Sequence, residues 1–208
     1  MSDKTTREQI VEAADRLFYR QGYDHTSFAD IADEVRISRG NFYYYFKTKD
    51  EILAAVIEQR LADRRAMLAR WEEETESPAE RIRCYISILV TNQADIKRYG
   101  CPLGTLSSEL AKLNHEAQGE AKALFTVFRT WLRRQFEELG HGAEADALAL
   151  HLLAASQGVA TLANAYQDDA FVRREVEALF DWLDARVAEA KPTAAKNGAR
   201  RHKRRAGH

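Results

Sequence analysis

The chain has 208 residues, of which 45% are hydrophobic and 30% are charged, and its formal net charge at pH 7 is −1. A chain of this length can bury a core of its own. No run of about 18 apolar residues is present, so no membrane span is expected. Residues 1–20 show no signal-peptide core. The two cysteines, Cys84 and Cys101, do not make a disulfide framework, which favours a cytoplasmic location.

The charge is unevenly distributed along the chain. Residues 191–208 contain seven Lys or Arg and no acid, so the other 190 residues carry 24 basic and 32 acidic groups. We expect this tail to be disordered, and two interpretations of it stand: extra phosphate attraction, or a solvated terminus of little consequence. Because the body is acidic, any contact with DNA requires a local basic patch.

The first predicted helix covers residues 4–21. Its apolar residues recur at helical spacing and form one buried stripe: Ile10, Val11, Ala14, Leu17 and Phe18. Gly22 ends this helix, because it accepts a C′ conformation without a Cβ penalty.

Two short helices and a tight turn are predicted between residues 26 and 49. Thr26 is the predicted N-cap of the first helix and Ser38 that of the second. After Ser38, Phe42 and Phe46 lie four residues apart and face inward. Polar and aromatic side chains are left at the start and on the outer face of the second helix. This pattern is typical of a helix-turn-helix whose second helix meets DNA.

The segment from Arg7 to Leu53 resembles the DNA-binding domain of the TetR family of bacterial transcription repressors. The shared positions are Arg7, Ile10, Ala13, Ala14, Leu17, Phe18, Gly22, Tyr23, Thr26, Ser27, Ile31, Ala32, Ser38, Gly40, Phe42, Tyr43, Phe46, Lys49 and Leu53. Two positions depart from the family: Arg36 stands where a turn glycine is usual, and Tyr45 where His is frequent. If the turn needs a positive φ, Arg36 carries a small strain.

Six further helices are predicted after the helix-turn-helix, and no strand signal is present. Their bounds are 49–75, 77–99, 102–113, 115–139, 143–166 and 169–189. The sequence therefore predicts an all-α fold of nine helices. A three-helix head, residues 1–48, precedes a larger helical domain, residues 49–190, and the basic tail follows. The resemblance implies that the larger domain binds an effector and dimerises, and that the helix from residue 49 passes the signal to the head.

The candidate DNA contacts lie on the predicted recognition helix and beside it. Arg39 and Asn41 are the base-reading candidates, since Arg pairs with guanine and Asn with adenine. Gly40 lets the backbone come close. The phosphate candidates are Lys49 and the hydroxyls of Thr26, Ser27, Tyr43 and Tyr44, beside the capped helix start at Ser38. Tyr45 is a candidate for either role.

A cavity for a small apolar or aromatic effector is predicted in the second domain. Its candidate lining residues are Tyr85, Leu89, Cys101, Phe125, Phe128, Trp131 and Tyr166, with Asn92, Gln93, Ser156 and Gln157 as polar groups. Burial in an ordinary core is the competing interpretation for each aromatic.

Cys101 has two interpretations. The segment from Gly100 to Leu106 resembles a TetR subgroup in which some members sense electrophiles or oxidants through this cysteine. A cysteine just ahead of a helix can be reactive, whereas a small packing residue is the alternative. A redox-sensing or electrophile-sensing repressor is therefore the second functional hypothesis.

The last two predicted helices carry more apolar residues than one core face needs. These are Leu148, Leu150, Leu152, Leu153 and Leu162 on the first, and Phe180, Trp182 and Leu183 on the second. Two such helices from each subunit would form a four-helix interface, and the resemblance favours this homodimer. Burial within one subunit is the alternative.

Catalytic and metal-binding signals are weak in this sequence. It has no Gly-rich phosphate loop, no paired CxxC and no His pair at i, i+4 spacing. We therefore expect no enzyme activity, no cofactor and no metal. The predicted function is a repressor that a small effector releases from a pseudo-palindromic operator in double-stranded DNA. A helical enzyme, whose head is incidental, is the remaining alternative.

Overall fold

The computed structural model describes residues 4–190, and these residues form an all-α fold. The helices are α1 (Thr6–Gln21), α2 (Phe28–Val35), α3 (Arg39–Tyr45), α4 (Lys49–Glu74), α5 (Pro78–Thr91), α6 (Gln93–Tyr99), α7 (Pro102–Lys112), α8 (Gln118–Glu138), α9 (Ala145–Tyr166) and α10 (Asp169–Glu189), and a short 3₁₀ turn, Gly142–Glu144, precedes α9. The predicted basic tail, residues 191–208, lies outside the described residues.

Each of the nine predicted helices is present, but the fifth is divided. Asn92, with φ −103° and ψ 16°, ends α5 and starts α6. Asparagine is a poor residue for a helix interior, which favours a break at this position, although its side chain makes no capping hydrogen bond to α6. Asn92 and Ile96, four residues apart, both line the same cavity.

The head is built on a small aromatic core. α1 packs against α2 and α4, and Phe18, Ile31, Phe42, Phe46 and Leu53 are buried between them. The two predicted inward aromatics of the helix-turn-helix therefore lie in the core. This packing fixes the outer face of α3 relative to the rest of the chain.

The turn between α2 and α3 contains the expected backbone conformation. Arg36 has φ 60° and ψ 43°, in the left-handed region, and its N–H bonds to the carbonyls of Ala32 and Asp33. A non-glycine residue pays a steric cost of about 1 kcal/mol in this region. The strain predicted for Arg36 is thus present.

The predicted N-cap of α2 is wrong by one residue. Ser27 caps this helix, since its hydroxyl accepts from Asp30 N at 3.2 Å and Ser27 N donates to the Asp30 carboxylate at 2.7 Å. Thr26 is 1% exposed and its hydroxyl donates to Gly22 O at 2.6 Å. Thr26 therefore closes the loop after α1 rather than starting α2.

The second domain is organised around α8 and α9, which pack along each other, with α5, α7 and α10 around them. Residues 142–166 are long and apolar enough, by composition alone, to cross a membrane. Eight residues of α9 are buried against neighbouring helices, however, and a central helix of a helical domain has the same composition. α4 joins the two parts, because Leu53 and Val56 lie in the head and Leu68 in the second domain.

Candidate functional site

The outer face of α3 is exposed and chemically suited to DNA. Arg39, Gly40 and Asn41 lie exposed in its first turn, and Ser38 caps it by accepting from Asn41 N at 3.3 Å. Tyr44 is 77% exposed, which is far more than a packing residue needs. Nothing lies within 4 Å of the position a Cβ would take on Gly40, so this side of α3 is open.

Two of the predicted phosphate contacts are used inside the protein. Thr26 is buried, and its hydroxyl is bonded to the backbone of the preceding loop, so it does not reach a phosphate. The Lys49 ammonium donates to Tyr23 O at 3.0 Å and to Asp24 O at 3.3 Å, and it lies 4.3 Å from the centre of the Tyr23 ring. Both residues were predicted as phosphate contacts from their residue type. The partners of Lys49 lie 26 and 25 residues away along the chain, so residue type alone did not reveal them.

The three consecutive tyrosines of α3 differ in their exposure. Tyr43 and Tyr44 are exposed, whereas Tyr45 is half-buried against the core and stacks edge-on with Tyr44 at 5.2 Å. Ser27, also predicted, is exposed at the start of α2. Lys47, which the sequence reasoning did not single out, is exposed just beyond α3, and its ammonium contacts the carbonyl of Tyr43. A lysine directly after the recognition helix was the available signal.

The loop after α1 is bound to α7 by one carboxylate. Tyr23 N and Asp24 N donate to the two oxygens of Glu109, each at 2.9 Å. These residues are 86 and 85 positions apart along the chain from Glu109, so the contact joins the head to the second domain. We call this contact the Glu109 clamp.

A second contact lies beside the Glu109 clamp. The Tyr23 hydroxyl donates to Asp50, and His115 Nε2 lies 3.2 Å from the Tyr23 hydroxyl and 3.3 Å from Asp50 Oδ1. Burial raises the pKa of Tyr23, and its bond to Asp50 raises it further. The same hydrogen bond lowers the pKa of the Asp50 carboxyl. This cluster ties the start of α4 to the segment that follows α7.

A cavity of about 320 Å³ lies between α1 and the helices from α4 to α9. Four of the predicted lining residues, Tyr85, Leu89, Cys101 and Phe128, lie on its wall. Three of the predicted polar groups also line it: Asn92, Ser156 and Gln157. The volume is in the range of small-molecule sites.

Three predicted lining residues lie elsewhere. Phe125 lines an adjoining surface groove that shares Cys101 and Gln157 with the cavity wall. Trp131 donates to Glu72 Oε1 at 2.5 Å and packs against Trp71, and Tyr166 is 70% exposed at the end of α9. Phe125 and Trp131 lie three residues to either side of Phe128 along α8, each about 60° from it around the helix axis and in opposite directions. Of the three, only Phe128 lines the cavity. Gln93 likewise points outward and donates to Asp169 at 2.6 Å.

The sequence reasoning missed the charged wall that α1 and α4 contribute. Arg60 is only 5% exposed; its Nε donates to Asp15 Oδ1 at 2.6 Å and its Nη1 to Pro102 O at 2.8 Å. Arg64, Asp15 and Tyr19 line the same cavity. A signal was available, because Arg60 and Arg64 continue the core-facing spacing of Ile57 along α4.

The polar side chains at the buried end of the cavity are uncharged and are hydrogen-bonded within the protein. The Tyr85 hydroxyl lies 2.9 Å from Ser156 Oγ, and Ser156 donates in turn to Leu153 O at 2.8 Å, so Tyr85 donates to Ser156. Burial raises the pKa of Tyr85. This end therefore offers apolar surface and a hydroxyl pair to whatever enters.

Comparison with known proteins decides the family. Residues 10–56 match the family described as bacterial regulatory proteins, tetR family, and residues 78–178 match the LmrA/YxaF-like transcriptional regulator C-terminal domain. The transcriptional regulator LmrA of Bacillus subtilis is 30% identical over 136 residues, which are 60% of this chain and 71% of LmrA. The chain belongs to the TetR family.

Other TetR-family proteins agree with this assignment. An uncharacterized HTH-type transcriptional regulator of Lactococcus lactis is 34% identical over 125 residues, 59% of this chain. The chain spans 64% of that relative's length. A TetR regulator from Legionella pneumophila, solved by crystallography, superposes with a TM-score of 0.77 at 26% identity, over 89% of this chain and 98% of that one. Each of these relatives is described as a transcriptional regulator.

The TetR-family match to residues 78–178 covers α5 to the middle of α10 and hence most of the cavity wall. The remaining wall comes from α1 and α4, ahead of that match. Among residues 4–190, no group of three or more His, Cys, Asp or Glu is arranged to hold a metal ion.

The predicted dimer surface on α9 and α10 is only partly free. Leu152, Leu153 and Leu183 are buried in their own subunit and are corrections to the predicted interface. Leu150 and Leu162 are exposed large apolar residues on α9. The other three predicted residues are half-buried: Leu148, Phe180 and Trp182. α9 buries one face in the core of its own subunit, and its exposed leucines lie outside that face.

Proposed function

We propose that this TetR-family protein is a transcriptional repressor that a small effector releases from its operator DNA. The observation that supports the proposal is the cavity, whose wall includes the start of α7. Near the other end of the same helix, Glu109 binds the loop between α1 and the helix-turn-helix. One rigid helix thus connects a ligand-sized space to the DNA-binding head.

The head supplies the DNA contacts of the proposed repressor. Arg39 and Asn41 are the base-reading side chains, because both are exposed in the first turn of α3. Tyr43 and Tyr44 stand beside them for phosphate contacts. Ser27 and Lys47 would contact a phosphate by exchanging their present bonds, which go to the Asp30 carboxylate and to the Tyr43 carbonyl. The protein would act in the cytoplasm, where its operator is accessible.

A homodimer completes the proposed repressor, since one small head makes few contacts and two heads read a pseudo-palindrome. The exposed apolar residues of α9, Leu150 and Leu162, with Val187 on α10, support an interface on this side. Two helices from each subunit would bury them in a four-helix contact.

The proposed switch works through differential affinity. An effector changes operator binding only if it binds the released arrangement of the heads more tightly than the bound one. The effector touches Cys101, Pro102 and Leu103 at the start of α7, so a shift of this helix moves the Glu109 clamp. A small apolar or aromatic molecule suits the surface that Leu89 and Phe128 present.

A second candidate function is the sensing of electrophiles or oxidants through Cys101. The observation that favours it is the position of this cysteine, half-buried on the cavity wall and at the N-cap position of α7, where its side chain makes no capping hydrogen bond. Modification there would act on the same helix as a reversible effector. Cys84, by contrast, lies mid-helix, and burial raises the pKa of its thiol.

The test is a mobility shift with DNA from the region upstream of the protein's own gene, at several salt concentrations. Arg39→Ala and Tyr43→Ala should lose the sequence-selective shift, whereas Arg70→Ala, an exposed control on α4, should keep it. Loss of the selective shift in the control as well would contradict the assignment to α3.

The same assay separates the two switching mechanisms. Cys101→Ser should keep release by a reversible effector and lose release by an oxidant or electrophile. If Cys101→Ser abolishes every form of release, the cysteine is the sensor and the reversible-effector proposal is wrong.

A further inference from the structure

Most polar groups on the cavity wall are satisfied within the protein. Tyr85 is bonded to Ser156, and the Tyr19 hydroxyl donates to Gly100 O at 2.8 Å. Arg60 bonds to Asp15 and to Pro102 O, so its charge has a counterion. An effector gains little from these groups, because each bond it makes would replace an existing one.

Arg64 differs from these groups. It follows Arg60 by one turn of α4, lines the cavity and is half-buried. Within residues 4–190 it has neither an ion pair nor a hydrogen bond from its side chain. Burial lowers the pKa of Arg64, and the neighbouring charge of Arg60 lowers it further. The charges of Asp15 and Asp63 act in the opposite direction on this pKa, but neither carboxylate forms an ion pair with Arg64. Among residues 4–190, the cavity wall therefore holds a half-buried cation without a direct salt-bridge partner.

The nearby acids do not form that ion pair. Asp63, the residue before Arg64 on α4, is exposed to solvent. Asp15 Oδ1 accepts from both Nε and Nη2 of Arg60 at 2.6 Å. Asp95 lines the cavity but is exposed, so its charge is screened by solvent. The other charged group at the wall, Arg16, is a cation that pairs with Glu34 on the surface at 3.3 Å.

We propose that the effector is an amphipathic anion, whose carboxylate or sulfonate pairs with Arg64 while its apolar body packs against Leu89 and Phe128. This rests on the proposed function, since it names the ligand class of the same cavity. A guanidinium binds such oxyanions through two parallel hydrogen bonds, which are strong in a site shielded from water. A neutral ligand of the same shape leaves the Arg64 charge unpaired and desolvates it further.

The position of α7 adds to this preference. Cys101 and Pro102 place the positive end of this helix at the cavity, and no side chain caps it. The field of the helix favours an anion within the first turn. The proposal depends on the cavity and Arg64, and the helix strengthens it.

The test compares two fluorescent probes with nearly the same aromatic body. Anilinonaphthalene sulfonate is an anion, and N-phenylnaphthylamine is its neutral counterpart. Both gain fluorescence on burial, so titrations of the full-length protein give both affinities. We expect Arg64→Gln to weaken the sulfonate by about tenfold or more, the usual worth of a hydrogen-bonded ion pair, and to leave the neutral probe unchanged.

Two variants serve as controls. Arg65→Gln removes the same charge from the next residue of α4, which is exposed and outside this cavity, and should leave both affinities unchanged. Arg64→Lys keeps the charge but loses the paired hydrogen bonds, and should retain part of the preference for the sulfonate. Unchanged binding of the neutral probe shows that a variant is folded with its cavity open.

The possible failures are distinguishable. If both probes bind and Arg64→Gln does not change the ratio of their affinities, the anionic effector is refuted while the cavity stands. If neither probe binds the wild-type protein, the cavity does not take aromatic ligands and the proposed effector response fails with the inference.

Discussion

Removing the Glu109 clamp tests both the stability and the signalling that we assign to α7. Glu109 is half-buried, and its two oxygens accept from Tyr23 N and Asp24 N at 2.9 Å each. Glu109→Gln keeps one acceptor oxygen but turns an NH₂ donor toward the second backbone N–H. Glu109→Ala removes both acceptors and leaves two amides to solvent.

The size of the effect follows from these two bonds. A hydrogen bond to a charged group contributes about 1.5–3 kcal/mol when well shielded. Water replaces the carboxylate at this partly exposed loop, so we expect Glu109→Ala to lower the free energy of unfolding by about 2 kcal/mol, with Glu109→Gln costing about 1 kcal/mol. Urea unfolding at one fixed protein concentration measures both changes.

The control and the signalling readout use the same proteins. Glu58→Ala removes an exposed carboxylate from α4 and should change the free energy of unfolding by about 0.5 kcal/mol at most. Glu109→Gln should bind anilinonaphthalene sulfonate like the wild type, and any release of operator DNA that this probe causes in the wild type should be smaller in the variant. Stability within the range of the control, together with full release, would refute the role of the Glu109 clamp.

Three further predictions follow from the geometry. Arg36→Gly should raise the free energy of unfolding by about 0.5–1 kcal/mol in urea melts, because it removes the cost of a left-handed residue; a loss would show that the Arg36 side chain matters more. Thr26→Val should cost about 1–2 kcal/mol in the same melts, since a buried hydrogen bond is lost; an unchanged stability with weaker operator binding would restore Thr26 as a phosphate contact. Burial raises the pKa values of Tyr19, Tyr23 and Tyr85, so the neutral forms stabilise the fold. Stability should hold below about pH 10, where unfolded tyrosine ionises, and fall as the pH rises further, with a shallower fall in Tyr85→Phe; a flat profile would contradict the assigned burial.

The head was predictable because its signals are local. Ser38, Phe42 and Phe46 have fixed offsets within one helix and its cap, and the resulting exposed face of α3 follows from helical geometry. The positive φ of Arg36 was expected only through the family resemblance, because a glycine is usual at this turn position, and the structure has φ 60° there. Thr26 failed as a prediction because two adjacent residues can both cap a helix, and the loop closure decided between them.

The cavity was only partly predictable. Helical spacing identifies which residues face inward, so Tyr85, Leu89 and Phe128 were found. It does not tell a packed core from a cavity wall, so Trp131, which packs against Trp71, was assigned to the wrong place. The charged wall was missed because the pairing of Arg60 with Asp15 joins residues 45 positions apart.

The sequence by itself determined the all-α fold, the helix-turn-helix and the family, because helical periodicity, caps and a spaced motif act over a few residues. Only the tertiary structure decided that Lys49 and Glu109 hold the loop after α1 and that Arg64 lines a cavity without a direct ion pair among residues 4–190. The reason is physical: hydrogen bonds and ion pairs between distant segments depend on how whole helices pack, and no local pattern encodes that packing.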